Sequence, residues 1–309
     1  MDVTAYICRL YGLTIESPFP LPGGVAVAHP GGTPDVSIHW EPESAWRDIS
    51  VALAEPDAQE LRPRVGETAE GALCVAWRRE VQFVIPPQND RIIVICRPSK
   101  LSFVPAAIIG MGMGLLLHRR GVLCLHGAAL RINGRTIALL GESGAGKSTT
   151  SAALITRGAI PLSDDLVVLR PRNGGFVVEP GSAGFRLDEE AREKILGAET
   201  ALARLPWVDK LLWDTGTAGQ PELAAQPLDA IYLLGDEGDG KGVRIGPPLP
   251  ALTALRELME SWYPPGLKPL LTQARLDDLR AVAERVPARI VRFPRRWDIL
   301  PGLYDALAR

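Results

Sequence analysis

Thr136-Ile137-Ala138-Leu139-Leu140 runs directly into Gly141-Glu142-Ser143-Gly144-Ala145-Gly146-Lys147-Ser148-Thr149. The first five residues read as a compact buried strand, and the segment after them fits G-x-x-x-x-G-K-[ST] in full. Each position has a physical task. The glycines let the backbone curl so that successive amide N–H groups point at phosphate oxygens. A helix opening near Lys147 adds the positive end of its dipole. The Lys147 ammonium is placed for the β- and γ-phosphates and the Ser148 hydroxyl for Mg²⁺. The stretch from Gly141 to Thr149 therefore predicts a site for ATP with Mg²⁺.

Downstream, a helix is expected from Lys147 to about Arg157, closed by Gly158. Ile160–Leu162 reads as the next strand, ending at Ser163-Asp164-Asp165, with Asp164 seventeen residues after Lys147. In a β-α-β unit the second strand runs parallel to the first, so its C-terminal end returns beside the glycine loop. One of the two acids can then orient Mg²⁺ and the other can take a proton from an attacking hydroxyl. The plainer alternative is a solvated Asp-Asp turn; the loop just upstream favours chemistry. On the other side of the loop, Val122–Leu125 and Ala128–Ile132 read as two strands with His126-Gly127 at the end of the first. Asn133-Gly134 is a hairpin turn. The chain has no N-K-x-D guanine-reading motif and no LSGGQ-type transporter signature.

Further out, the first hundred or so residues differ from the rest. Short runs (Ala5–Leu13, Val25–Ala28, Val36–Trp40, Ala72–Trp77, Val81–Ile85, Arg91–Cys96) alternate with Pro, Gly, Asn and Asp, which predicts a β-rich domain over 1–100. Gln88-Asn89-Asp90 suits a hairpin turn and Pro56–Leu61 a short helix. Residues 101–309 form the second domain. It begins with a helix over Pro105–Arg119, whose apolar stretch Val104–Leu117 is too short to span a bilayer, which needs about 20 residues. Arg170–Gln226 is turn-rich around a charged helix at Asp188–Leu196. Ala230–Leu234 and Arg289–Phe293 read as strands, and Leu252–Trp262, Leu276–Arg285 and Leu303–Ala308 as helices. With 46% hydrophobic and 23% charged residues and a net charge of −2, the 309-residue chain has a core to bury and no global field favouring nucleic acid or anionic lipid. Cys8, Cys74, Cys96 and Cys124 are scattered and read as reduced buried thiols. The histidines lack metal-ligand spacing. The expectation is a cytoplasmic protein with neither nucleic-acid nor membrane partners.

His126-Gly127, the loop Gly141–Ser148, Arg157-Gly158 and Ser163-Asp164-Asp165 together resemble the HPr kinase/phosphorylase family. Tyr11-Gly12-Leu13, Ser17-Pro18-Phe19-Pro20-Leu21-Pro22 and Pro227–Leu234 are similar to the smaller HPr-kinase-like proteins of lasso-peptide biosynthesis. The specific part of the resemblance covers about 45 residues around the loop. It implies an α/β fold with a P-loop core of the HPr kinase/phosphoenolpyruvate carboxykinase type, and a possible homo-oligomer. It also implies transfer of the ATP γ-phosphoryl group to a serine hydroxyl on a peptide or small protein, here a ribosomal lasso precursor peptide. By the same resemblance Asp164 is the general base, Asp165 a metal or orienting acid, and His126 a group that positions phosphate or the acids. Lys210, Arg186 and Glu179 are weaker candidates for phosphate, substrate or second-metal contacts. Val178–Arg186 departs from the family's Glu- and Arg-bearing glycine signature, so the reverse, phosphorolytic reaction is not expected. Competing readings are a kinase of an HPr-like protein or small metabolite, and a non-catalytic nucleotide sensor.

Overall fold

A computed structural model of the chain describes residues 5–27, 32–54, 63–77, 80–102, 104–142, 144–205, 209–215, 224–235, 242–263 and 270–308. Its first strands are β1 (Tyr6–Leu10), β2 (Leu13–Ser17), β3 (Val25–Ala26), β4 (Val36–Glu41), β5 (Val51–Ala54), β6 (Arg64–Glu67), β7 (Leu73–Trp77), β8 (Val81–Ile85) and β9 (Arg91–Cys96). They make one sheet in the order β3-β1-β2-β4-β9-β8-β7-β6-β5. The run expected as a single strand over Ala5–Leu13 instead folds back on itself. Tyr11 and Gly12 both take positive φ (56° and 74°), which turns β1 into its antiparallel partner β2. The turn at Gln88–Asp90 joins β8 to β9 as expected, with Asn89 at φ 55°. The expected helix at Pro56–Leu61 lies outside the described residues.

From Val104 to Arg119 the chain is helical, as α1 (Val104–Ala107), a π-helical stretch at Ile108–Gly112 and α2 (Met113–Arg119). Its apolar length is explained by cover on more than one side. Val104, Ile108, Met113 and Leu115–Leu117 share one buried cluster with Ile15, Phe83, Ile92 and Val94 of the first sheet and with Cys124, Leu166 and Val168 beyond it. The cluster runs continuously across residue 100. Among the described residues, no helix is long and apolar enough to cross a membrane.

The remaining elements are β10 (Leu123–Ile132), β11 (Arg135–Leu140), α3 (Lys147–Ile155), β12 (Ile160–Ser163), β13 (Leu166–Arg172), β14 (Gly175–Glu179), β15 (Gly184–Leu187), α4 (Glu189–Leu196), β16 (Ala203–Arg204), β17 (Leu211–Asp214), β18 (Gln226–Leu234), β19 (Arg244–Ile245), α5 (Ala251–Glu260), α6 (Gln273–Arg285), β20 (Ala288–Arg292) and α7 (Leu300–Leu307). The molecule is thus a mixed α/β protein with several sheets. β11 pairs antiparallel with β10 and parallel with β18, and the path β11-β10-β13-β14-β18 closes back on β11. β20 extends β18 in parallel. The hairpin between β10 and β11 turns on Asn133 and Gly134, both at positive φ (48° and 79°), the signature of a two-residue primed turn.

β11 reads as an unbroken apolar run because both of its faces are covered. Ile137 and Leu139 pack with Ala153 and Leu154 of α3 and Leu303 of α7. Ala138 and Leu140 point the other way, into a cluster with Ala254 and Leu258 of α5 and Leu279 and Val282 of α6. Three expectations are corrected. The two strands foreseen on either side of His126-Gly127 are one, β10, because the irregularity sits in the opposing chain at Asp164-Asp165. β12 pairs with β10, not with β11. It still runs parallel to β11, with β10 between them, so the acids reach the same end of the sheet as the loop. Finally, Arg170–Gln226 contains β14 to β17, with β15, β16 and β17 forming a small separate sheet.

The two-sided burial of β11 makes a measurable claim. Leu139→Ala, at a fully buried position, is expected to cost about 2–5 kcal/mol in urea denaturation. Leu252→Ala, at a residue 80% exposed on α5, should stay within about 0.5 kcal/mol. Equal losses at both positions would contradict the layer arrangement.

Candidate functional site

Between Leu140 and α3 the backbone makes a tight loop, with Gly144 at φ 83° and Gly146 at φ 81° on either side of Ala145. Left-handed glycines alternating with ordinary residues turn amide N–H groups toward one concavity. Lys147 opens α3 and is buried; its Nζ donates to the Gly141 carbonyl at 2.8 Å and to the Glu142 carbonyl at 3.0 Å, which holds the ammonium over the loop. Burial lowers the Lys147 pKa, and the charges of Asp165 and Asp164 work against that shift. Ser148 and Thr149 follow in the first turn of the helix. Ser143 lies outside the described residues.

The acids arrive from β12. Ser163 faces Ala129 and Leu166 faces His126 along β10, so β12 and β13 form one line of chain interrupted by Asp164 and Asp165. Asp165 sits at φ 67°, and the Leu166 N–H donates to the Asp164 carbonyl at 2.8 Å. A bond spanning two residues around a positive φ marks the strained form of γ-turn, uncommon for a residue with a side chain. The kink separates the two carboxylates. Asp164 is buried, its amide held by the Ser182 carbonyl at 2.8 Å, and the Ser148 hydroxyl donates to its Oδ2 at 3.5 Å. Asp165 turns to two nitrogen donors: Arg186 Nη2 lies 3.2 Å from its Oδ2 and His126 Nδ1 3.3 Å from its Oδ1. His126 Nδ1 also lies 3.1 Å from the Asp165 carbonyl. Both of these partners are acceptors, so Nδ1 carries the hydrogen.

This environment splits the pair. Burial, then the neighbouring charge of Asp165, pushes the Asp164 carboxyl up to about 7, with Arg186 and His126 pulling the other way. Burial alone would raise Asp165 too, but Arg186, His126 and Lys147 hold it well below the usual carboxylate range. Arg186 is shifted up in return, chiefly by Asp165. One acid titrates near neutrality while the other stays ionised, an arrangement suited to proton transfer beside a fixed negative charge.

The structure thus brings together Lys147, Ser148, Asp164, Asp165, His126 and Arg186. It does not bring Lys210 or Glu179 into that group. Lys210 pairs with Asp188, the N-cap of α4, at 3.1 Å. Glu179 pairs with Arg170 at 3.3 Å and packs against Gly12. Other residues join the site that sequence reasoning did not single out. Tyr263 follows α5, its N–H donating to the Cys124 carbonyl at 3.0 Å, and its ring lies 6.3 Å from that of His126. Tyr11, from the β1–β2 turn, is fully buried; its N–H donates to the Pro180 carbonyl and its hydroxyl to the Ile109 carbonyl at 3.3 Å. Both phenols are raised above their ordinary pKa, first by burial and next by the charge of Asp165. The signal for this corner was Gly110 and Gly114, four apart on one face of the helix. A methyl group at 114 would collide with the Tyr263 ring, and one at 110 would stand 3.0 Å from Asp165 Oδ2.

For a metal, the donors at hand are the Ser148 hydroxyl and the two carboxylates, all hard oxygens. Among the described residues no group of three or more His, Cys, Asp or Glu is placed to hold an ion by itself. That set fits Mg²⁺ shared with substrate phosphates and water, since Mg²⁺ commonly takes only one or two protein carboxylates.

No protein-family model matches the chain, and no curated protein matches it. Among solved structures the chain is similar to an HPr(Ser) kinase/phosphatase from Coxiella burnetii, at 13% identity and a TM-score of 0.33, over 60% of this chain and 93% of that one.

The raised Asp164 pKa has a stability consequence. The folded state keeps a proton that the unfolded chain releases near its ordinary value of 3.8. The unfolded state therefore binds fewer protons between about pH 4 and 7, and stability falls as pH rises through that window. Asp164→Asn removes the effect. The variant's Tm should exceed that of the wild type by about 3 °C or more at pH 8, with the gap shrinking toward pH 4. A pH-independent gap in thermal denaturation would contradict the assignment.

Proposed function

We propose that this protein is an ATP-dependent phosphotransferase that moves the γ-phosphoryl group to an alcohol. The observation that carries this is the buried Asp164 carboxyl, titrating at about 7, next to the Ser148 hydroxyl at the mouth of the glycine loop. The loop amides and Lys147 hold the β- and γ-phosphates, and Asp164 takes the acceptor's proton as the acceptor oxygen bonds to the γ-phosphorus and the bond from that phosphorus to the β–γ bridging oxygen breaks, releasing ADP. Ser148, with the acids directly or through water, would hold Mg²⁺, which would supply charge neutralisation on the phosphate oxygens. Asp165, fixed by Arg186 and His126, keeps the corner negative and Asp164 basic. A proton acceptor near neutrality speaks against a mere nucleotide sensor, which has little use for one.

The 3.5 Å Ser148–Asp164 contact also admits a second assignment, with Asp164 on the metal side, although Asp165, held well below the usual carboxylate range by Arg186 and His126, is the poorer base. For the acceptor we propose a serine hydroxyl on a ribosomal, lasso-type precursor peptide. The support is the Tyr11-Gly12-Leu13 and proline-rich opening, together with the edge strands β3 and β5 of the first sheet. Such edges can add an extended peptide through backbone hydrogen bonds. An HPr-like protein or a small metabolite is the competing acceptor.

Lys147→Ala should abolish transfer and weaken ATP binding in a folded protein; normal turnover would end the catalytic reading. With Asp164 as the base, kcat/KM should fall about tenfold per pH unit below about pH 7, and Asp164→Asn should lower kcat by roughly 10²–10⁴ with ATP affinity spared. A midpoint that moves down as Mg²⁺ is raised would instead put Asp164 on the metal. Efficient phosphorylation of HPr with none of a precursor peptide would replace the peptide as acceptor.

A further inference from the structure

The chain leaves β20 through Phe293-Pro294-Arg295-Arg296. Arg296 is paired with Asp298. Arg295 is exposed and turns back over the glycine loop: Nη1 donates to the Ala145 carbonyl, and Nη2 donates to the Gly235 carbonyl at 3.1 Å, just past the end of β18. The guanidinium carbon lies 5.2 Å from the centroid of the Phe293 ring, which braces it. A methyl group at Gly146 would stand 2.9 Å from Nη1, so the guanidinium lies directly against the loop at that glycine. A guanidinium carries five N–H donors, and these two bonds leave it with donors to spare.

Its position decides which end of a nucleotide it can meet. β11, which carries the loop, has β10 on one side and β18, then β20, on the other. The acids hang from the chain beyond β10 and mark where the transferable γ-phosphoryl group must lie. A polyphosphate gripped by the loop at its β and γ positions therefore extends its nucleoside end toward the C-terminal ends of β18 and β20, where Arg295 sits. We infer that Arg295 binds the α-phosphate of the nucleotide and so distinguishes a nucleotide from pyrophosphate. The inference rests on the reading of Gly141–Thr149 as a nucleotide site.

The probes are ATP, ADP and inorganic pyrophosphate, titrated calorimetrically against the wild type, Arg295→Ala, Arg295→Gln and Arg295→Lys, with Tm recorded for each. Pyrophosphate fills the loop without an α-phosphate. Arg295→Ala is expected to weaken ATP and ADP by about tenfold or more, the loss of a charge-assisted hydrogen bond, and to leave pyrophosphate nearly unchanged. Arg295→Lys, which keeps the charge but not the forked guanidinium, should regain most of the ATP affinity; Arg295→Gln, which removes the charge and is expected to lose ATP and ADP like the alanine variant, carries the comparison if the alanine variant does not fold. Equal losses for all three probes would make Arg295 a latch on the loop and overturn the inference, as would unchanged ATP affinity. A wild type that binds none of the three overturns the nucleotide reading itself, an outcome separate from the other two.

Discussion

Two carboxylates on adjacent residues repel one another, and the repulsion grows as water is removed. Asp164 and Asp165 share one water-poor corner, and much of the surrounding structure answers that repulsion. The kink at Asp165 sends the two side chains apart. Arg186, His126 and Lys147 then stabilise the charge on one of them, and the other is left to hold its proton until near neutrality. Were both acids equally paired with cations, neither would be basic enough to be useful. The inequality is what the proposed proton transfer would use, and it is produced by Arg186, His126 and Lys147, gathered from three separate parts of the chain.

Holding such a corner steady demands a rigid frame. β11 is clamped on both faces, so the loop that comes after it starts from a fixed point. The helix from Val104 to Arg119 passes close to the acids only because glycines on one side of it admit Tyr263 and the Asp165 carboxylate. Its π-helical stretch at Ile108–Gly112 falls at that same approach, and such stretches are frequent at functional sites. The first sheet joins in through Tyr11, which fills the space below Gly181 and Ser163. The Ser182 hydroxyl adds a bond to the Pro22 carbonyl at 3.0 Å, tying the same two regions together again.

The parts of this arrangement that the sequence announces are the local ones. The loop, the strand before it, the helix after it and the turn at Asn133-Gly134 are each specified by residues within a few positions of one another. The acid pair could be placed because only one helix separates it from the loop. Tyr263, Tyr11 and Arg295 could not, since each reaches the site from a distant part of the chain through pairings that no short-range pattern encodes. Lys210 shows the converse: a cation suggested by likeness alone pairs instead with the cap of a neighbouring helix. Arg170–Gln226 concealed its strands because they are short and cut by Pro, Gly and charged residues, so period-2 alternation has no length over which to show. Gly110 and Gly114, four apart and so on one face of an apolar helix, were the distant signal open to reading, for they mark a surface made to be approached.

The bond from the Tyr11 N–H to the Pro180 carbonyl also orders events during synthesis. Tyr11 leaves the ribosome well before the residues that bury it, by roughly 10–30 s at elongation rates of about 5–20 residues per second. Throughout that interval a large aromatic side chain, at the tip of the β1–β2 hairpin, lacks the Gly181 backbone that packs against its ring. The nascent first sheet is therefore the stretch of this polypeptide on which a chaperone has the longest time to act.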